Sequence, residues 1–181
     1  MKSKSIFILL LAWVFFAGCS SKSGPGSLLG YSSSISTEEV NEAFSKAFPI
    51  QKKSSFGTVS LKRALLKPTS QSDRVALSVA FGLTSFEIPE GIEGTMALSA
   101  GLRYDPRSKK IYLKEVTPVG MQFGDTALSK YISKSARSAV NVIAMRELSN
   151  IVIYQVKESF SARFIKNITV NKGKIVIQYG L

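Results

Sequence analysis

The chain has 181 residues, 45% hydrophobic and 20% charged, which suits one domain plus a short extension. It carries 24 Lys and Arg against 12 Asp and Glu, a formal net charge of +12, with one Cys and no His. The missing His excludes Ser-His-Asp and Cys-His nucleophilic machinery and His-based zinc sites, and a single Cys excludes an intramolecular disulfide, a CxxC pair or an iron–sulfur cluster.

Lys2 and Lys4 precede an unbroken apolar run from Ile6 to Ala17, and Gly18 and Cys19 follow it. A positive start, a short apolar stretch and small residues make a secretory signal; a spanning helix needs about 20 apolar residues. The ending Phe16-Ala17-Gly18-Cys19 resembles a bacterial lipobox, with Phe16 where Leu is usual. That resemblance implies cleavage before Cys19 and lipid on its sulfur and new amino terminus. Ser20 resembles the sorting pattern of outer-membrane lipoproteins. The expected location is therefore the bacterial cell envelope, lipid-anchored, at the outer membrane and facing the periplasm. Residues 1–18 are read as the signal and 19–34 as the lipidated Cys and a tether. From Ser20 to Ser34, seven of fifteen residues are Ser and three are Gly, a composition that predicts flexible coil. Residues 35–181 are then the single folded domain.

The domain opens with a helix over 37–48. Ser36 at the N-cap and Glu39 at N3 form a capping box, Ile35 and Val40 sit at staple positions, and Pro49 ends the helix. Four stretches of strand period follow. Val59, Leu61 and Leu65 mark one apolar face. Val75, Leu77, Val79, Phe81 and Leu83 mark the second, and Met96, Leu98, Ala100, Leu102 and Tyr104 the third. Ile111 and Leu113 open the fourth, which runs toward Phe123. Short links such as Asp105-Pro106-Arg107-Ser108 predict an antiparallel meander. From Asp125 to about Ile165 there is neither Pro nor Gly, and an apolar stripe from Leu128 to Phe160 approximates helical spacing. This predicts one helix of about 57 Å, with a kink near Ser149-Asn150; the alternative for Ile151-Val152-Ile153-Tyr154 is a strand. Ile168–Val170 and Ile175–Tyr179 close the chain as two short strands around Asn171-Lys172-Gly173.

The fold class expected is α+β: a curved antiparallel β-sheet wrapped around a long C-terminal α-helix, with a short N-terminal helix. Two features support the wrapping. The second faces of the middle strands, Ala76-Ser78-Ala80-Gly82-Thr84 and Thr95-Ala97-Ser99-Gly101-Arg103, are small and nearly uncharged, and the long helix is apolar beyond one stripe. The same geometry leaves room for an elongated apolar groove beside the helix. Its expected lining is Val79, Phe81, Leu83, Met96, Leu98, Leu102, Ile143, Leu148 and Val152; the competing reading is that these residues are plain core.

Three segments carry a family resemblance: Ile35-Ser36-Thr37-Glu38-Glu39-Val40-Asn41, the strand pair Tyr104-Asp105-Pro106-Arg107-Ser108-Lys109-Lys110-Ile111-Tyr112-Leu113-Lys114-Glu115-Val116, and Val170-Asn171-Lys172-Gly173-Lys174-Ile175-Val176-Ile177. Together they resemble the YceB-like lipoproteins of the domain-of-unknown-function 1439 family. The resemblance implies a curved antiparallel sheet around a long carboxy-terminal helix, similar to the tubular lipid-binding folds of bactericidal/permeability-increasing proteins. It brings no catalytic residues with it.

The functional expectation is a membrane-anchored periplasmic lipoprotein that binds a lipid or other hydrophobic small molecule between sheet and helix. The alternative is a structural or adaptor lipoprotein docking an envelope protein complex. No enzyme activity, catalytic residue, cofactor or nucleic-acid partner is expected. Lys130, Lys134 and Arg137, at i, i+4 and i+7, are read as a basic helix face toward anionic headgroups. Glu87, Glu90 and Glu93 form the one acidic cluster, whose spacing matches no calcium loop.

Overall fold

A computed structural model describes residues 30–67, 69, 73–157, 165–171 and 174–180. The expected signal, Cys19 and the first part of the expected tether lie outside these residues. The rest of the tether does not stay coil. Gly30–Ile35 forms strand β1 and pairs antiparallel with β9 (Lys174–Gly180), which also pairs with β8 (Ile165–Asn171). This three-stranded sheet has the order β1-β9-β8. Tyr31 stacks on Tyr179 across it, ring centroids 4.4 Å apart.

Helix α1 (Thr37–Ala47) forms as its caps predict. The Ser36 backbone N–H donates to Glu39 Oε2 at 2.9 Å, and the Glu39 N–H donates to Ser36 Oγ at 3.2 Å. Its buried residues, Val40 and Phe44, are one turn apart and face the core.

The main sheet is an antiparallel meander of β2 (Ile50–Ser54), β3 (Gly57–Lys67), β4 (Val75–Thr84), β5 (Ile92–Asp105), β6 (Lys110–Phe123) and β7 (Val152–Gln155), in that spatial order. β4 keeps strict alternation, with Val75, Leu77, Val79, Phe81 and Leu83 all buried. β3 does not. Its register slips between Leu61 and Arg63, leaving Lys62 as an extra residue, so Ala64 and Leu66 turn inward where alternation pointed to Leu65. β6 slips twice. Glu115 takes a positive φ of 49°, and Val119 is skipped between Pro118 and Gly120. Pro118 is tolerated because β7 pairs β6 over Lys110–Tyr112 alone, so no ladder partner is lost on that edge. Gly94 is required where β4, β5 and β6 meet. A Cβ there would lie 2.6 Å from the Phe81 ring and 2.5 Å from the Gln122 carbonyl oxygen.

Among the described residues the expected long carboxy-terminal helix is absent, and this is the main correction to the fold class; residues 158–164 of that expected helix lie outside the described residues. Asp125 caps a short turn, accepting from the N–H groups of Ala127 and Leu128 at 2.8 and 3.0 Å; Leu128–Tyr131 is a single 3-10 turn. Ile132 and Ser133 are then extended, and Ser133 caps a new helix, α2 (Lys134–Asn150), accepting from the Ala136 N–H at 3.2 Å. The run after Asn150 becomes β7, the alternative the β-branched Ile151-Val152-Ile153 left open. At that point a strand gains ladder hydrogen bonds from the free edge of β6 that a continuing helix would forgo.

The result is predominantly β: a curled six-stranded antiparallel sheet with two short helices. The contacts show the curl. α1 packs against β3 and β7, and α2 against β2, β3 and β6, so each helix spans from one side of the sheet to the other. The buried apolar side chains of sheet and helices join in one core with Ile35, Val170, Ile175 and Ile177 of the smaller sheet.

The β5–β6 turn gives a test. The Asp105 carboxylate accepts from Ser108 Oγ at 2.7 Å and the Arg107 N–H at 3.0 Å, and these bonds, Ser108 first, hold its pKa below the ordinary carboxylate value. Since the folded pKa lies below the unfolded one, this stabilisation is present above the unfolded pKa and is lost as pH falls through the folded one. Ser108→Ala should raise the Asp105 titration midpoint followed by carboxyl NMR and shrink the acid-side loss of stability. An unchanged midpoint would show that the hydroxyl is not the cause.

Candidate functional site

The strand registers put three connections at one end of the curled sheet. Thr58 of β3 faces Thr84 of β4, Leu83 faces Ile92, and Gly94 faces Phe123. The β2–β3 tip, the loop 85–91 and the segment 124–133 therefore lie together. The smaller sheet lies at the other end, where the Asp73 N–H donates to the Val170 carbonyl at 3.3 Å.

Ser55 and Phe56 form a two-residue hairpin tip, tightened by Ser54 Oγ, which donates to the Gly57 carbonyl at 3.1 Å and accepts from the Phe56 N–H at 3.2 Å. Gly57 follows at φ 125°, with the Thr84 carbonyl oxygen 2.1 Å from where a Cβ would stand. The turn thus presses on β4 and holds Phe56 outward, 44% exposed.

Opposite Phe56 runs the outer stripe of α2. Ser135, Ser138, Ala139, Val142, Ile143 and Arg146 recur at helical spacing, and with Lys53–Phe56 they wall an open groove of about 460 Å³. Small side chains on the helix and a turn that cannot move inward leave the space. A second hollow of about 450 Å³ shares Ser54, Ser55 and Phe56 and continues past Ser133 and Ala136 to Ser85, Phe86 and Glu87. The groove is apolar at Phe56, Ala139, Val142 and Ile143 and cationic at Lys53 and Arg146. Glu147, 14% exposed, already lies 3.4 Å from Lys52 Nζ and 3.1 Å from Arg146 Nε. One acid against three bases leaves this end of the groove net positive.

The nine residues expected to line a groove are placed differently. Val79, Phe81, Leu83, Met96, Leu98 and Leu148 are buried in the core. Leu102 is half-buried beside a smaller hollow of about 260 Å³ near Ile168 and Val170, and Val152 lies on β7. Ile143 is the one of the nine on the wall of the groove beside α2. Periodicity finds inward-facing positions, and a packed core and a cavity wall share that pattern. Phe56 and Val142 are absent from the expected lining and carry a different signal: an aromatic inside a Ser-Gly turn, and a large apolar residue off the helix's buried stripe.

The basic trio is also separated. Lys130 belongs to the 3-10 turn and Lys134 opens α2, both exposed. Arg137 turns inward, with Nη2 2.5 Å from the Ser129 carbonyl, Nε 3.4 Å from the Ile132 carbonyl, and its guanidinium 4.9 Å from the centroid of Phe123. It ties the 3-10 turn to α2. Of the three acids, Glu93 pairs with Lys62. Among the described residues no group of acidic side chains is arranged to hold a metal.

The small-residue face of β4 and β5 is the outer surface, crossed by long cations. Lys62 passes over Gly82 and Lys114 over Gly101. Arg74 Nε donates to Ser99 Oγ at 2.7 Å, and its Nη2 to the Glu115 carbonyl at 2.9 Å. These stems lie on the small residues and carry their charge outward.

The model of a family described as a protein of unknown function, DUF1439, matches residues 35–174. The chain belongs to the DUF1439 family. No curated protein matches it. Every residue lining the groove beside α2 falls inside the DUF1439 match, and Cys19 falls outside it.

The two kinds of cation should respond differently to truncation. Arg137→Ala should cost about 1.5–3 kcal/mol, the scale of hydrogen bonds to a charged donor, in chemical denaturation. Lys130→Ala should stay within about 0.5 kcal/mol, as exposed sites do. Equal effects would show that Arg137 is not structural.

Proposed function

We propose that this protein is a non-enzymatic lipoprotein of the bacterial cell envelope, anchored through Cys19, that holds the apolar chain of an anionic amphiphile beside α2. The observation that carries this reading is the groove itself. It combines an apolar floor at Ala139, Val142 and Ile143 with a free aromatic edge at Phe56 and cations at one end, Lys53 and Arg146. Ligand sites are concave, largely apolar and oriented by a few polar groups.

From Ser133 to Arg146 the helix rises about 20 Å, the length of a long acyl chain laid along it. The head belongs at Lys53 and Arg146, where one carboxylate meets three bases, and the chain runs beneath Phe56 toward the second hollow. Burying each CH₂ there contributes roughly 0.8 kcal/mol, so chain length sets affinity and the cations set orientation. The resemblance of Phe16-Ala17-Gly18-Cys19 to a lipobox supports the membrane setting. An adaptor docking through the small-residue face of β4 and β5 fits less well, because that face is crossed by Lys62, Arg74 and Lys114.

A chain beginning at Ser20 retains every described element and is purified from bacteria without detergent for native mass spectrometry. The expected spectrum carries extra mass that organic extraction removes as fatty acid or phospholipid. Ala139→Trp, which fills the floor, and Val142→Asp, which charges it, should each reduce the loaded fraction about tenfold, a change of about 1.4 kcal/mol, with circular dichroism unchanged. A clean apo mass before and after incubation with lipid vesicles ends this reading.

A further inference from the structure

We propose that the end of the molecule formed by the β2–β3 tip and the loop 85–91 is a bilayer-contacting surface that inserts the Phe86 ring shallowly among lipid headgroups. Four large aromatic side chains are exposed among the described residues: Tyr31, Phe56, Phe86 and Tyr131. Tyr31 is stacked on Tyr179 in the smaller sheet. The other three stand at the opposite end, where the registers gather the hairpin tip, loop 85–91 and segment 124–133. Phe86 is 101% exposed and Tyr131 is 70% exposed, so both rings project into solvent.

The charges around them favour a membrane over a protein. Exposed Lys130 and Lys134 bracket Tyr131 in the chain, and Glu87 and Glu90 follow Phe86. Protein interface cores are depleted in Lys and Glu, whereas aromatic rings beside lysines are the pattern of the lipid–water interface. The two glutamates also set the depth. They keep the loop backbone in the headgroup layer and let the Phe86 ring pass below it, while Lys130 and Lys134 meet anionic headgroups.

The placement has a consequence for orientation. β1 begins at Gly30 in the smaller sheet, so the anchored side of the chain and the aromatic end are separated by the length of β3, about 36 Å. A molecule tethered at one end would touch lipid with the other. This inference needs no ligand in the groove, although Phe86 also borders the second hollow.

The test places the chain from Cys19 onward, which contains no Trp of its own, on vesicles of phosphatidylethanolamine and phosphatidylglycerol containing brominated acyl chains. Phe86→Trp then reports on the aromatic end, and Arg107→Trp, in the exposed β5–β6 turn, on the other. Tryptophan quenching should be at least twofold stronger for Phe86→Trp. Adding Lys130→Glu and Lys134→Glu to the Phe86→Trp chain should weaken that quenching. Equal or reversed quenching overturns the proposal. Quenching at neither position also overturns it and leaves the aromatic end to a protein partner. Loss of quenching here, with lipid still found by mass spectrometry, would separate failure of this surface from failure of the groove.

Discussion

The structure depends on covering one apolar surface. Val75, Leu77, Val79, Phe81 and Leu83 on β4 lie beside Met96, Leu98 and Ala100 on β5, and all are buried. Such a face has to be removed from water along its whole length, at roughly 25 cal/mol for each Å² buried. Neither helix is long enough to cover it alone. The sheet therefore curls until its two sides reach the same helices: α1 meets β3 and β7, and α2 meets β2, β3 and β6. The bulges make that bend. Extra residues at Lys62 in β3 and at Glu115 and Val119 in β6 turn the strands without breaking the meander.

The same constraint explains why the space beside α2 exists. A helix used to close a curled sheet buries one stripe, here Ala136, Val140, Ile143, Ala144 and Leu148, and leaves the flank next to Ile143 to whatever the sheet edge provides. That edge is the β2–β3 hairpin, whose tip is kept short by Ser54 and Gly57 and cannot fold down onto the small residues of the helix. A hollow with an apolar floor and a cationic end follows from helix length and turn geometry together. The exposed aromatic residues lie at the same end because three connections of an antiparallel meander gather there.

Net charge behaves as a surface property of this fold rather than as one patch. Lys62, Arg74 and Lys114 lie over the small outer residues of β4 and β5, and Arg137 turns inward to carbonyl groups. The basic composition is divided between stems that cover the outer sheet face, one internal tie and the cations near the groove, two of which share Glu147. Their positions depend on bulges and helix breaks, which is why a spacing of i, i+4 and i+7 in the chain did not become one basic face.

The sequence by itself determined the local elements. Ser36 and Glu39 specify the start of α1, alternation specifies the inward residues of β4 and most of β5, and Asp105-Pro106-Arg107-Ser108 specifies a turn, because each rests on groups a few residues apart. It also carried most of the future core, but not which part of it borders a groove: of nine residues read from periodicity, Ile143 reached that wall. Tertiary structure decided the rest. Ile151–Tyr154 is apolar enough for a helix or a strand, and the unpaired edge of β6 decided for the strand. Ser133 restarts a helix that composition alone would continue, because the chain must turn at the end of the sheet before α2 can close it. Phe56 and Val142 face each other across a groove although 86 positions separate them. No pattern within either segment encodes that meeting, since it arises from the curl of a sheet whose strands lie between them.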